Sequence, residues 1–272
     1  MTGTIHDGAP TGIAERRRHR PASGLPWIPA VTLGLFLGPI LAGLAGTVLP
    51  AFGMLPALGA VEPGLDPWRS LAQAPGLRPA VTVTLTSGLG STLLALALAV
   101  AIAAAAEGTR AARALDRALA PLLALPHAAF AIGFAFLAAP SGWILRLVSP
   151  WATGWTHPPD LALVQDPAGI ALMLALAVKE TPFLMLMLLA ARGQVPARET
   201  LVVARCMGYG PVQAWLKAVL PLLWPQLRLP VYAVLAYSLS VVDMALVLGP
   251  TTPPTLAVLA LRWSGDPEPA LR

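Results

Sequence analysis

No Asp, Glu, Lys or Arg interrupts the chain between Pro21 and Val61. A helix needs about 20 mostly apolar residues to cross a bilayer, so this single run exceeds what one span requires. It is also much longer than the apolar region of a cleaved signal peptide, about 7–15 residues. Four further apolar stretches follow, and together they predict spans near Trp27–Leu49, Ala80–Ala106, Ala120–Ala139, Gly169–Ala191 and Leu229–Leu248. Composition points the same way. Of the 272 residues 56% are hydrophobic and 11% charged, where soluble domains carry roughly 25% charge. No soluble fold of this length buries so much apolar surface. The sequence therefore predicts an all-α, multi-pass membrane helix bundle. In its first span Gly34, Gly38, Ala42 and Gly46 form a small-residue stripe that permits close helix contact, and Pro39 predicts a kink.

The loops set the orientation. Residues 1–26 form a polar tail with the basic cluster Arg16-Arg17-Arg18-His19-Arg20. Residues 107–117 carry Arg110, Arg113 and Arg117, and residues 192–228 carry Arg192, Arg198, Arg205, Lys217 and Arg228. The alternate segments hold fewer cations: Arg69, Arg78, Arg146, Arg262 and Arg272. By the positive-inside rule the N-terminus and the two richer loops are cytoplasmic. Topology then accounts for the net charge of +5, which does not argue for nucleic acid. The outer segment Ser141–Asp166 holds Trp143, Trp151, Trp155 and His157 among prolines, the composition of a short helix anchored at the head groups.

Residues 195–226 are too charged and too broken to cross. Helix formers run from Ala197 to Met207, and Gly208-Tyr209-Gly210 stops them, since glycine tolerates a left-handed cap and a tight turn. Pro211 starts a second helix where a missing N–H costs nothing, and Leu220-Pro221 is read as its end. The product is a helix–turn–helix elbow. On its first helix Arg198 and Arg205 share one face, with Val203 and Met207 opposite. One face can rest on apolar protein while the other meets water, phosphates or a partner. A plain hairpin joining two spans would carry similar punctuation.

The spacing of this elbow resembles the cytoplasmic coupling loop of type I, binding-protein-dependent ABC importer permeases. Their pattern is EAA, three residues, glycine, nine residues, an aliphatic residue, any residue, then Leu-Pro. Here Val202-Val203-Ala204 fills the first slot, Gly208 the glycine, Ala218 the aliphatic position and Leu220-Pro221 the end. The glutamate of the pattern is Val202 in this chain, and Glu199 stands three residues before it. The resemblance runs from about Val81 to Arg262. It is nearest to the thiamine, iron and polyamine branch, through Leu125-Pro126-His127, Thr181-Pro182-Phe183, Gly249-Pro250 and Pro254-Thr255-Leu256. It implies a permease domain over residues 27–272 in a bacterial inner membrane, behind the tail of residues 1–26. It also implies an ABC ATPase subunit docked at Arg198, Glu199, Ala204, Arg205, Gly208, Gly210, Leu220 and Pro221. Further partners implied are a second permease half (copy, homologue or fused continuation) and a periplasmic or lipid-anchored solute-binding protein. ATP would be bound by the ATPase, leaving this chain without a cofactor. Members of the family place another span after the fifth, so the resemblance implies a chain that continues beyond Arg272.

Three ionisable residues fall within the predicted spans, Lys179 and Glu180 in the fourth and Asp243 in the fifth. Each is costly in lipid and has to face protein or water. Two readings stay open: a path for a charged solute, or pairing between helices, for example Lys179 with Asp243. Lys179 and Glu180 leave a helix about 100° apart, so they are not expected to point the same way. An ion-coupled secondary transporter using Lys179, Glu180 and Asp243 is the alternative to an ATP-driven one. His127, placed at the cytoplasmic end of the third span, reads as an interfacial or packed histidine. No second metal-type residue stands at helical spacing from it, so no metal site is predicted. Neither lysine of the chain follows a glycine, so there is no Walker A loop. H-E-x-x-H and G-x-S-x-G are absent too, and no catalytic residue is predicted. The single cysteine, Cys206, excludes a disulfide within the chain.

The topology is testable by thiol labelling of intact cells. Single cysteines at Ser70 and Ser141, in a Cys206→Ser background, should react with a membrane-impermeant reagent, and Cys206 in the parent only after permeabilisation. Labelling of Cys206 in intact cells would invert the orientation.

Overall fold

The computed structural model describes residues 27–54, 56 and 61–265, and the regular structure among them is entirely helical. The basic tail lies outside the described residues. Among the described residues five helical stretches are long and apolar enough to cross a membrane: Trp27–Ala51, Leu77–Ala106, His127–Val148, Ile170–Arg192 and Pro211–Ser240. The chain divides into two compact units, residues 1–73 and 74–272.

In the first unit α1 (Trp27–Ala51) includes Pro39 and Pro50 and has no buried residue. A Cβ added at Gly34, Gly38 or Gly46 would meet nothing within 4 Å among the described residues. Gly53 turns the chain at φ +79°, and the Gly64 N–H donates to the Phe52 carbonyl at 2.8 Å. The rings of Phe52 and Trp68, the latter on α2 (Asp66–Gln73), lie 6.0 Å apart.

The second unit is built on α3 (Leu77–Ala106) and α7 (Ile170–Arg192), the pair in most extensive contact. Much of the buried face of α3 is small: Ala80, Thr84, Ser87, Gly88, Ser91, Thr92, Ala95, Ala99 and Ala103. Spacings of three and four put these residues on one stripe, where two backbones can approach closely. Hydroxyls on the stripe satisfy themselves within the helix. Thr84, Ser87 and Thr92 donate to the carbonyls of Ala80, Val83 and Gly88 at 2.8, 2.7 and 2.8 Å. Gly88 is where α10 (Leu220–Ser240) comes near, since a Cβ there would sit 2.6 Å from the Leu239 side chain. Between α3 and α7 lie α4 (Ala111–Ala124), α5 (His127–Ala138) and α6 (Trp143–Val148). After α7 come α8 (Ala197–Cys206) and α9 (Pro211–Ala214), then a π-helical turn, Trp215–Val219, leading into α10. The last described helices are α11 (Asp243–Leu248) and α12 (Leu256–Ser264), whose Leu256 N–H donates to Thr84 Oγ1 of α3 at 2.7 Å.

Three expectations are corrected. The sequence predicts the third span over Ala120–Ala139, but the helix is broken at Leu125 and Pro126. The ring of Pro126 disfavours helical backbone at the residue before it, and Leu125 takes ψ 122°. Leu220-Pro221 does not end the elbow's second helix. Pro221 cannot donate to the carbonyl four residues back. The preceding turn widens instead, with the Leu220 N–H reaching the Trp215 carbonyl, and the helix continues to Ser240. The fifth span, placed at Leu229–Leu248, therefore starts earlier and stops at Val241, leaving Asp243 on the first turn of the separate α11.

α7 starts beneath Asp166, whose carboxylate accepts the N–H groups of Ile170 and Ala171, both at 2.8 Å. This is side-chain capping of a helix start, worth about 1 kcal/mol. Asp166→Ala should lower the thermal midpoint of the purified protein in detergent by a few degrees, about 2–4 °C. Asp166→Asn, which retains an acceptor, should recover most of that loss.

Candidate functional site

The elbow has the shape its sequence predicts and a different inner face. Gly208 adopts φ +87°, donates its N–H to the Arg205 carbonyl at 3.0 Å, and is followed by Tyr209 N–H to the Ala204 carbonyl at 3.1 Å. These two bonds are the Schellman closure of a helix end, which needs a left-handed residue. Gly210 has an ordinary φ of −64° and leads into Pro211 at the start of α9. Val203 and Met207 do not face protein: they are 58% and 71% exposed. Ala197, Leu201 and Ala204 form the buried face, at spacings of four and three, because these small and branched side chains fit under the π turn. Arg198, Glu199 and Arg205 are exposed, as are Val202, Val212 and Leu216, so the outward surface is mixed basic and apolar. Leu220 is half-buried and Pro221 exposed.

The inner face of the elbow belongs to the same buried cluster as the ends of three spans. Ala197, Leu201, Ala204, Ala214 and Trp215 join Ala99 and Ala103 of α3, Leu188 of α7, and Leu223 and Leu227 of α10. A charged node fixes the corner. Arg192 Nη2 donates to Glu107 Oε1 at 2.6 Å, binding the end of α7 to the end of α3. The same guanidinium lies 5.7 Å from the centre of the Trp215 ring, within cation–π range. Sequence reading left this node out. Its trace was the pair of opposite charges closing the second and fourth apolar runs.

A second polar cluster gathers where two helices break. His127, the first residue of α5, meets Glu180, with Nε2 and Oε1 3.0 Å apart. Glu180 lies midway along α7, so His127, at the end of the third span, is a packed histidine level with the middle of that helix. The His127 and Tyr237 rings are 4.7 Å apart, which puts Tyr237, near the end of α10, next to the histidine that meets Glu180. Asp243 itself is exposed, just past the break at Val241 and Val242. Lys179 does not pair with Asp243. Its ammonium donates to the Leu122 carbonyl at the end of α4, 3.4 Å away. Lys179 and Glu180 thus reach residues only five apart in sequence: long side chains close an angle that their Cβ directions open. Tyr237 was not singled out from the sequence, and an isolated tyrosine in an apolar run gives no signal. Among the described residues no group of three His, Cys, Asp or Glu comes together as a metal site.

No protein-family model matches the chain. Among curated proteins it is similar to the inner membrane ABC transporter permease protein YnjC of Escherichia coli (strain K12), with 35% identity over 213 residues. That stretch is 76% of this chain and 39% of YnjC, so the chain spans well under half the length of the relative it matches.

Removal of His127 should strand a carboxylate that is only 10% exposed. His127→Leu should therefore cost about 1–3 kcal/mol of stability, the penalty for an unsatisfied buried polar group. Adding Glu180→Gln should restore most of it. Thermal unfolding of the two variants in detergent measures the difference, and equal midpoints would mean that the pair contributes nothing.

Proposed function

The chain is a homologue of an inner-membrane ABC transporter permease, and on that premise we propose that it is the membrane-spanning permease domain of an ATP-driven importer. It couples to a separate ATPase subunit through the elbow. The observation that carries this reading is the shared core. Because the buried side of the elbow and the ends of α3, α7 and α10 are one cluster, a push on the elbow displaces three spans together. Close-packed interiors transmit such displacements because they contain few voids to absorb them. The exposed side, with Arg198, Glu199, Arg205, Met207 and Gly208, is the surface offered to the ATPase, which binds the nucleotide. The solute path runs past the two helix breaks, by Glu180 and Asp243, with His127 and Tyr237 beside them. Broken helices at membrane depth are the usual place for a transporter site, since irregular backbone there must face protein or a water-filled cavity. Lys179 serves the end of α4 instead of the path. A second permease half and a solute-binding protein complete the assembly.

Gly208 provides the test. A Cβ there would meet nothing within 4 Å, so a larger side chain clashes with no atom of this chain. The positive φ costs a side chain about 1 kcal/mol, small for a membrane bundle. Gly208→Trp should therefore insert at near-normal abundance. Co-purification of the ATPase and binding-protein-stimulated hydrolysis in proteoliposomes should fall roughly tenfold or more, equivalent to about 1.4 kcal/mol of lost interface. Val202→Glu, at an exposed position, should be tolerated. Arg198→Glu should weaken ATPase association most at low salt, because exposed charges are screened. Normal stimulated hydrolysis by Gly208→Trp would reduce the elbow to a connector between spans.

A further inference from the structure

At the break between α4 and α5 the backbone of Leu125 and Pro126 leaves helical geometry, with ψ of 122° and 142°. In an unbroken helix residue 126 would donate to the carbonyl four residues back, that of Leu122. Pro126 has no N–H, so the Leu122 carbonyl receives no donor from that position. The Lys179 ammonium reaches it from the middle of α7. Lys179 is only 6% exposed, and among the described residues it forms no ion pair. The next residue, Glu180, holds His127 at the opposite side of the break. Two adjacent residues of α7 therefore address the two ends of one broken helix with opposite charges. The signs fit the ends they meet, since a helix C-terminus is partly negative and an N-terminus partly positive.

We propose that Lys179 is a positioning residue that supplies the hydrogen-bond donor Pro126 lacks. Together with Glu180 on His127, it makes α7 the carrier of both halves of the broken helix. The break and the middle of α7 then move as one body when the elbow is displaced. The motion rests on the coupling reading above, whereas the donor role stands without it.

The experiment uses the complete transporter with its ATPase. Lys179→Met removes the donor and Lys179→Arg keeps one; each is made alone and with Pro126→Ala. Thermal unfolding in detergent reads the donor role. Lys179→Met should lower the midpoint by about 3 °C or more, Lys179→Arg by clearly less. The Met penalty should largely vanish with Pro126→Ala, where residue 126 regains an N–H. ATP hydrolysis in proteoliposomes, with and without the binding protein, reads the positioning role. Lys179→Met should reduce the stimulated rate roughly fivefold or more relative to its own basal rate, and Lys179→Arg should retain most of the stimulation. Equal behaviour of Met and Arg, or a Met penalty unchanged by Pro126→Ala, would overturn the donor role. A lowered midpoint with full stimulation would overturn the positioning role. If Pro126→Ala does not fold, the contrast between Met and Arg decides alone. If Gly208→Trp shows that the elbow does not couple, the unfolding cycle still decides the donor role.

Discussion

The close contact of α3 with α7 is what the rest of the second unit hangs on. Lipid offers no hydrophobic drive between apolar helices, so their association depends on how near the backbones come. α3 meets that condition with alanine, glycine, serine and threonine along one stripe, and its hydroxyls donate within their own helix. Everything else is attached to this pair. At one end the Arg192–Glu107 bond closes it and Trp215 lies under the same guanidinium. At the other, Asp166 caps α7 and Thr84 holds the start of α12. One buried cluster extends from the pair into the elbow, and a second gathers α5, α7, α11 and α12.

Several charges of this unit gather at helix ends. Arg192 and Glu107 stand at or just past the last turns of α7 and α3, and Asp243 on the first turn of α11. Lys179 and Glu180 lie in the middle of a helix but reach the ends of α4 and α5. The physical reason is common to all of them. An apolar bundle leaves backbone groups unpaired only where helices start, stop or break, and an ionised side chain finds polar company only there. The break at Pro126 also brings His127 together with Glu180 and Tyr237, and the break at Val241 leaves Asp243 exposed just beyond it.

The elbow joins these two themes. Its outward side exposes arginines and apolar side chains, and its inward side is continuous with the span ends. Gly208 sets the angle between its helices through a left-handed residue that has open space around it. Shape and exposure are thereby separated: the turn constrains the backbone, and the surface beyond it is left to whatever docks.

The sequence alone determined the all-helical class, the number of spans and the elbow with its left-handed glycine. These depend on the length of apolar runs and on backbone chemistry local to glycine and proline, both readable without a neighbour. Only the tertiary structure decided which side of the elbow is buried. Val203 and Met207 looked apolar enough to face protein, and Ala197, Leu201 and Ala204 took that place because burial depends on what lies opposite. The same holds for Lys179, whose partner is a carbonyl orphaned by a proline fifty-three positions away, and for His127, which pairs with Glu180. Pro221 looked like a helix end until a widened turn absorbed it. Pairings of this kind join residues distant in sequence, so no periodicity or spacing within the chain records them.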